Sequence, residues 1–144
     1  MQNGSGDRGP LLLDTHYWLW LEAGDKARLA APNLDIIRKA ANSGELFVSA
    51  ISVWEIAMLA SKGRVDLYEG CTKWVEEALT RPGLTLAPLS PAVAIESTRL
   101  PGSFHSDPAD RIIVATARIM GARLLTSDKD IRAYARQHHL LLAS

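Results

Sequence analysis

Short apolar runs recur along this chain, and stretches with helical punctuation fill the intervals between them. That alternation constrains the fold more than any other feature. Pro10-Leu11-Leu12-Leu13 is apolar throughout, the mark of a strand buried on both faces. Leu46-Phe47-Val48-Ser49, Leu84 to Leu89, Arg123-Leu124-Leu125-Thr126 and His139 to Leu142 read as further strands. Pro88 pushes the third of these towards an edge, because proline cannot donate to a ladder. Strands that alternate with helices imply the α/β class: a short, mostly parallel sheet flanked by helices in three layers. Such sheets place their active sites beyond the C-terminal ends of the strands.

The helices are marked by caps and stops. Tyr17 to Leu21 reads as a short helix ended by Gly24. Asn33 is placed to cap a helix through Ala41, and Ser49 or Ser52 to cap one over Val53 to Ser61. Tyr68 to Leu79 reads as amphipathic, burying Trp74, Val75 and Ala78. Ser90-Pro91 opens a helix to Ser97 or Leu100. Asp107 and Pro108 form a cap and first position for a helix that runs to Met120, where Gly121 stops it. A last helix covers roughly Asp130 to Gln137.

Acidic and basic residues number 16 each, so the formal charge is zero. That argues against a protein that coats nucleic acid, which needs a basic surface. It leaves room for a nucleic-acid enzyme whose positive charge comes from bound cations. The single cysteine, Cys71, excludes an internal disulfide and a cysteine zinc site, and a reduced cytoplasmic setting is the default. No apolar run nears the roughly 20 residues of a membrane span. Residues 1–9 are polar and glycine-rich and read as a disordered tail or an expression remnant, with one domain over residues 10–144. No GxGxxG or GxxxxGK[ST] loop occurs, so backbone cradling of phosphates is not the design.

Four carboxylates share a common address. Asp14 follows the first strand, and Asp128 follows the Leu124-Leu125 strand. Asp110 lies in the first turn of the helix leading into that strand. Glu55 sits on the helix behind the second strand, among Ile51, Ser52, Ile56, Met58 and Leu59. A carboxylate on so apolar a face must be protonated, paired or metal-bound. Each has an ordinary reading as well. Asp14 and Asp128 suit helix caps, and Asp110 suits a helix N-terminus. Glu55 has Lys62 and Arg64 as ion-pair candidates, but they lie seven and nine residues away, a poor helical match. Taken together, the four indicate an oxygen-ligand site for a hard cation, Mg²⁺ or Mn²⁺. Phosphodiester hydrolysis is the chemistry such a site serves best. A phosphatase or receiver domain is disfavoured, since there is no DxDxT motif.

Other residues carry two readings each. His16 and His105 either touch substrate phosphate or pack at the wall of the site. Arg111 either binds RNA phosphate or pairs with a nearby carboxylate. Lys62 and Arg64 are a basic rim or ordinary helix-end charges. Trp18, Trp20, Trp54 and Trp74 fit core or dimer packing better than base stacking, and Cys71 reads as a helix packing residue.

Leu11-Leu12-Leu13-Asp14-Thr15-His16, Ser49-Ala50-Ile51-Ser52-Val53-Trp54-Glu55-Ile56, Asp107-Pro108-Ala109-Asp110-Arg111 and Leu125-Thr126-Ser127-Asp128 jointly resemble PIN-domain proteins. More narrowly they resemble VapC-type toxins of type II toxin–antitoxin pairs, over residues 10 to 142. The resemblance implies a PIN-like fold and Mg²⁺- or Mn²⁺-dependent endoribonuclease activity. It implies a homodimer and a cognate antitoxin that covers the site. It matches Asp14, Glu55, Asp110 and Asp128 to the acidic quartet, with Asp14 and Asp110 as the firmest metal ligands. Thr126 would orient Asp14 or a metal water, and Asp107 would serve as cap, supporting partner or outer contact. The alternative on the same fold is a non-catalytic RNA- or protein-binding module, in which the carboxylates are structural.

Overall fold

The computed structural model describes residues 8–144, so the tail expected over residues 1–9 falls mostly outside the described residues. The order of elements is β1 (Leu11–Leu13), α1 (Thr15–Ala23), α2 (Ala31–Asn42), β2 (Leu46–Ser49), α3 (Ala50–Ser61) and α4 (Cys71–Ala78). Then follow β3 (Leu84–Ala87), α5 (Pro91–Thr98), α6 (Pro108–Met120), β4 (Arg123–Leu125), α7 (Lys129–Ala135) and β5 (Leu141–Leu142). The strands form one sheet in the order β3-β2-β1-β4-β5, and every pairing is parallel. β3 is an edge strand and stops before Pro88, as its missing N–H requires.

The side chains of β1 alternate between two cores, as the period of a strand dictates. Leu11 and Leu13 pack with Trp18, Leu21, Ile37, Ala40, Ile56 and Ala78, so α1 to α4 cover that face. Leu12 packs with Val93, Ile113, Val114, Ala117, Ile131 and Tyr134, so α5 to α7 cover the other. All three leucines are fully buried. This explains why the run shows no polar alternation: neither face meets water. The result is a helix–sheet–helix sandwich.

The chain adds β2 and β3 on one side of β1, then returns to lay β4 on its other side. The strand order therefore reverses direction between β1 and β4. Open parallel sheets bind ligands at such a point, beyond the carboxyl ends of the strands.

Several boundaries differ from the sequence reading, each for a local reason. α2 begins at Ala31 with a proline in its first turn. Asn33 is thus inside the helix and caps nothing; its Nδ2 donates to Tyr17 Oη at 2.9 Å. Ser49 caps α3, so the helix starts at Ala50 and Ser52 turns inward. Gly70, at φ 93°, interrupts the helix expected from Tyr68 and leaves Tyr68 fully in solvent. The last strand shortens to Leu141–Leu142 because His138 adopts a left-handed turn at φ 67°. Trp18 and Trp74 do pack, with ring centroids 5.2 Å apart, whereas Trp54 is exposed on the protomer surface. No helix among the described residues is long and apolar enough to cross a membrane.

Candidate active site

Because all strands are parallel, the segments that follow β1, β2 and β4 leave the sheet at the same edge. Asp14 follows β1, α3 with Glu55 follows β2, and Thr126 with Asp128 follows β4. The N-terminus of α6 brings Asp110 to the same place, since Asp128, Glu55 and Asp14 all act on its charge.

Asp14 does two things at once. Its Oδ1 accepts the Tyr17 N–H at 2.9 Å and so caps α1. Its Oδ2 accepts the Thr126 hydroxyl at 2.5 Å. The same Thr126 oxygen accepts the Asp128 N–H at 3.0 Å, which fixes the hydroxyl proton on Asp14. Capping and a site role are therefore not alternatives here. Asp128 is likewise a cap, accepting the Ile131 N–H at 2.9 Å through Oδ1. Asp107 caps α6 through the Asp110 N–H at 3.1 Å, the role the sequence favoured for it.

Glu55 accepts the Thr15 hydroxyl at 2.5 Å, and Thr15 lies 2.8 Å from Ser52 Oγ. With Glu55 ionised, the one hydroxyl proton of Thr15 goes to the carboxylate and Ser52 donates to Thr15 in turn. Thr15 and Ser52 are buried, so this chain of hydroxyls holds Glu55 from beneath. Neither hydroxyl stood out in the sequence as a site residue. Their sole signal was their place one residue after Asp14 and three before Glu55.

The electrostatics are unbalanced. Among the described residues no salt bridge joins a Lys or Arg to Asp14, Glu55, Asp110 or Asp128. The Lys62 or Arg64 pairing open to Glu55 is not formed. Burial pushes the Asp14 carboxyl above its ordinary range, against the lowering effect of the Thr126 bond. Burial raises Glu55 too, with Asp107 and Asp14 adding repulsion. Asp110 is pushed to about 7, by burial first and then by Asp107, Asp128, Glu55 and Asp14. Carboxylates whose ionisation burial and mutual repulsion oppose, as at Asp14, Glu55 and Asp110, are arranged as a cation would require.

The tightest set of possible ligand atoms is His105, Asp110 and Asp128, all within 4.8 Å of one another. His105 is thus a member that a four-carboxylate reading did not anticipate. Its Nε2 lies 3.3 Å from Asp110 Oδ2 and 3.9 Å from Asp130 Oδ2. His16 is exposed rather than packed in the wall, with its ring 6.1 Å from that of Trp20. It lies near enough to lower both Asp14 and Glu55. Arg111 pairs with no carboxylate among the described residues. Its guanidinium turns inward to the carbonyls of Ser97, Phe104 and His105, at 2.8, 3.3 and 3.1 Å.

The donor set is chemically suited to Mg²⁺ or Mn²⁺. It is dominated by carboxylate oxygens, with hydroxyls behind them, one imidazole beside them and no thiolate. Of the four carboxylates expected from the sequence, Asp110 and Asp128 fall in the set with His105, whereas Asp14 and Glu55 lie outside it.

Comparison with known proteins agrees with this geometry. The PIN domain family model matches residues 11–137. Ribonuclease VapC22 from Mycobacterium tuberculosis is 36% identical over 124 residues, covering 86% of this chain and 91% of that protein. Among solved structures, VapBC2 from Rickettsia felis, bound to a DNA fragment from its promoter, aligns with TM-score 0.67 at 20% identity. The alignment covers 92% of this chain and 96% of that one. A toxin–antitoxin complex from Klebsiella pneumoniae aligns at TM-score 0.61 and 21% identity, over 93% of this chain and 98% of that one. FitAcB from Neisseria gonorrhoeae aligns at TM-score 0.61 and 19% identity, over 92% and 95%. The structural likenesses speak to fold, and the sequence matches span nearly the whole domain. With an acidic edge at the reversal point of a parallel sheet, this chain belongs to the PIN-domain family.

Proposed function

We propose that this protein is a Mg²⁺- or Mn²⁺-dependent endoribonuclease and the toxin of a toxin–antitoxin pair. The observation that carries the reading is the acidic edge without a Lys or Arg partner among the described residues: Asp110 and Asp128 lie together beside His105, Asp14 and Glu55 act on Asp110 through their charge, and its carboxyl is pushed up to about 7. Each carboxylate has a hydrogen-bond or imidazole neighbour, but among the described residues none has a Lys or Arg counter-charge. The identity to Ribonuclease VapC22 supports the activity.

Asp14, Asp110, Glu55 and Asp128 would hold the ion. When bound, it supplies Lewis-acid polarisation of the phosphoryl group and acidifies water. The protein's own part is orientation. Thr126 and the Tyr17 N–H fix both oxygens of Asp14, and Thr15 fixes Glu55. Such support keeps ligands in place before substrate arrives, so no reorganisation is needed during the reaction. The acidic edge alone repels a polyanion, so the cation would have to bind before or with the RNA.

The antitoxin reading draws on the complexes whose fold this chain shares. A cleft of about 840 Å³ opens beside His16 and is lined by Trp20, Leu59, Val65, Tyr68 and Trp74. With Glu22, Asp25, Arg28, Arg64 and Asp66 also in its lining, it would offer an antitoxin segment a mixed apolar and charged surface beside His16. A homodimer and a cytoplasmic location belong to the same proposal.

The test is cleavage of RNA by purified protein. Cleavage should require Mg²⁺ or Mn²⁺ and stop with EDTA. Cleavage that persists in excess EDTA, or none with either ion at any RNA offered, overturns the reading in favour of a non-catalytic module.

A further inference from the structure

The loop between α5 and α6 has no regular structure, yet it is tied down along its length. Tyr134 Oη donates to Pro101 O at 2.6 Å. The Gln137 side chain behaves like a strand partner, accepting the Ser103 N–H at 3.0 Å and donating to Ser103 O at 2.9 Å. Gly102 makes that possible. Its φ of +73° favours glycine, and a Cβ there would collide with Gln137 Oε1. Arg111 takes the carbonyls of Phe104 and His105, and the Phe104 ring packs on Tyr134 at 4.9 Å. These ties fix Pro101, Ser103 and Phe104 in turn, and the Arg111 bond to its carbonyl fixes His105, the loop residue nearest the acidic edge.

The two ring nitrogens of His105 are in different situations. Nδ1 accepts the Asp107 N–H at 3.2 Å, so it carries no proton. The proton of the neutral ring is therefore on Nε2. That atom is buried and has no well-aligned acceptor among the described residues. Asp110 Oδ2, at 3.3 Å, is the nearest. A buried donor so placed, with its tautomer set by the backbone, has the Asp110 carboxylate as the acceptor nearest to it and no hydrogen bond yet formed among the described residues.

We propose that His105 is a positioning residue: its buried Nε2–H restrains the Asp110 carboxylate, which would help hold a cation, and Arg111, Tyr134 and Gln137 hold the loop that carries His105 in place. The proposal rests on the metal-site reading above. It inverts the usual arrangement in which a carboxylate orients a histidine ligand. It also gives Arg111 a task away from substrate, through the loop that carries the imidazole.

The test separates positioning from packing. Gln at this position places an amide N–H near where Nε2 stood, whereas Phe keeps the ring against Phe104 and has no donor. Mn²⁺ affinity of the full chain, read by calorimetry and by the Mn²⁺ spin-resonance signal, should fall about tenfold or more in His105→Phe. His105→Gln should stay within a few-fold of wild type, and Gln137→Ala should weaken Mn²⁺ without touching any ligand. In metal-free protein, nitrogen NMR should show Nδ1 unprotonated and Nε2 protonated, with Nε2 shifting in Asp110→Asn. Mn²⁺ affinity unchanged in His105→Phe overturns this role alone, as does His105→Gln falling as far as His105→Phe. A wild type that binds no Mn²⁺ overturns the metal-site reading and this role with it.

Discussion

Asp110→Asn should make the metal-free protein more stable, although it removes a ligand. The carboxyl is raised from 3.8 to about 7. A group that binds its proton more tightly when folded than when unfolded favours folding below its unfolded value. That contribution is lost as pH rises from about 4 through about 7. Above that range the full shift counts against the folded state: about three units, or about 4 kcal/mol as an upper bound. The side chain is 21% exposed, which calls for a moderate discount. Loss of the favourable charge at the start of α6 returns roughly 0.3–1 kcal/mol. The net gain expected is about 1–3 kcal/mol at about pH 8.5 in EDTA, or roughly 3–9 °C in Tm. At about pH 5 most of the gain should vanish, because wild-type Asp110 is then largely protonated. Urea unfolding in EDTA at both pH values measures it. A variant no more stable than wild type at the higher pH, or equally stabilised at both, would refute the argument that uncompensated charge dominates this edge. Saturating Mn²⁺ should reverse the order, stabilising wild type and not the variant.

Three further outcomes follow from the same geometry. Thr126→Val removes the donor to Asp14 Oδ2 and the acceptor of the Asp128 N–H; it should cost about 1–3 kcal/mol in urea unfolding and lower single-turnover cleavage at saturating Mn²⁺. Asp107→Ala removes the cap of α6 and should cost about 1 kcal/mol at about pH 5 in EDTA, a cost that shrinks at higher pH because the Asp107 charge also opposes ionisation of Asp110. Leu12→Ala empties a fully buried site between β1 and the α5–α7 layer and should cost about 2–5 kcal/mol, read as a fall in Tm.

Much of the fold was legible because both faces of the sheet are covered. Buried parallel strands leave no alternation to misread, and Leu11-Leu12-Leu13 declares itself by composition alone. Caps were legible where one residue decides them, as at Asp14, Asp107 and Ser90. They were not where two candidates competed: Ser49 won over Ser52 because Ser52 bonds to Thr15, a contact across 37 residues. Asp14, Asp110 and Asp128 drew attention as candidates through strand ends and a helix start, and Glu55 through its apolar neighbours. His105 was legible as a residue touching substrate or packing at the wall, but its contact with Asp110 was not. Its position depends on Gln137, Tyr134 and Arg111 reaching across a loop with no period of its own. Arg111 was misjudged for a related reason. An arginine beside an acidic cluster resembles a phosphate or carboxylate binder, yet three loop carbonyls claim it.

The central claim is that the acidic edge is a cation site whose purpose is RNA cleavage. Asp14→Asn tests it most directly, because Asn keeps an oxygen for the Tyr17 cap while removing the charge. Single-turnover cleavage of RNA in Mn²⁺ should become undetectable, with circular dichroism and urea unfolding showing an intact fold. Full cleavage by Asp14→Asn at wild-type Mn²⁺ dependence would contradict the account.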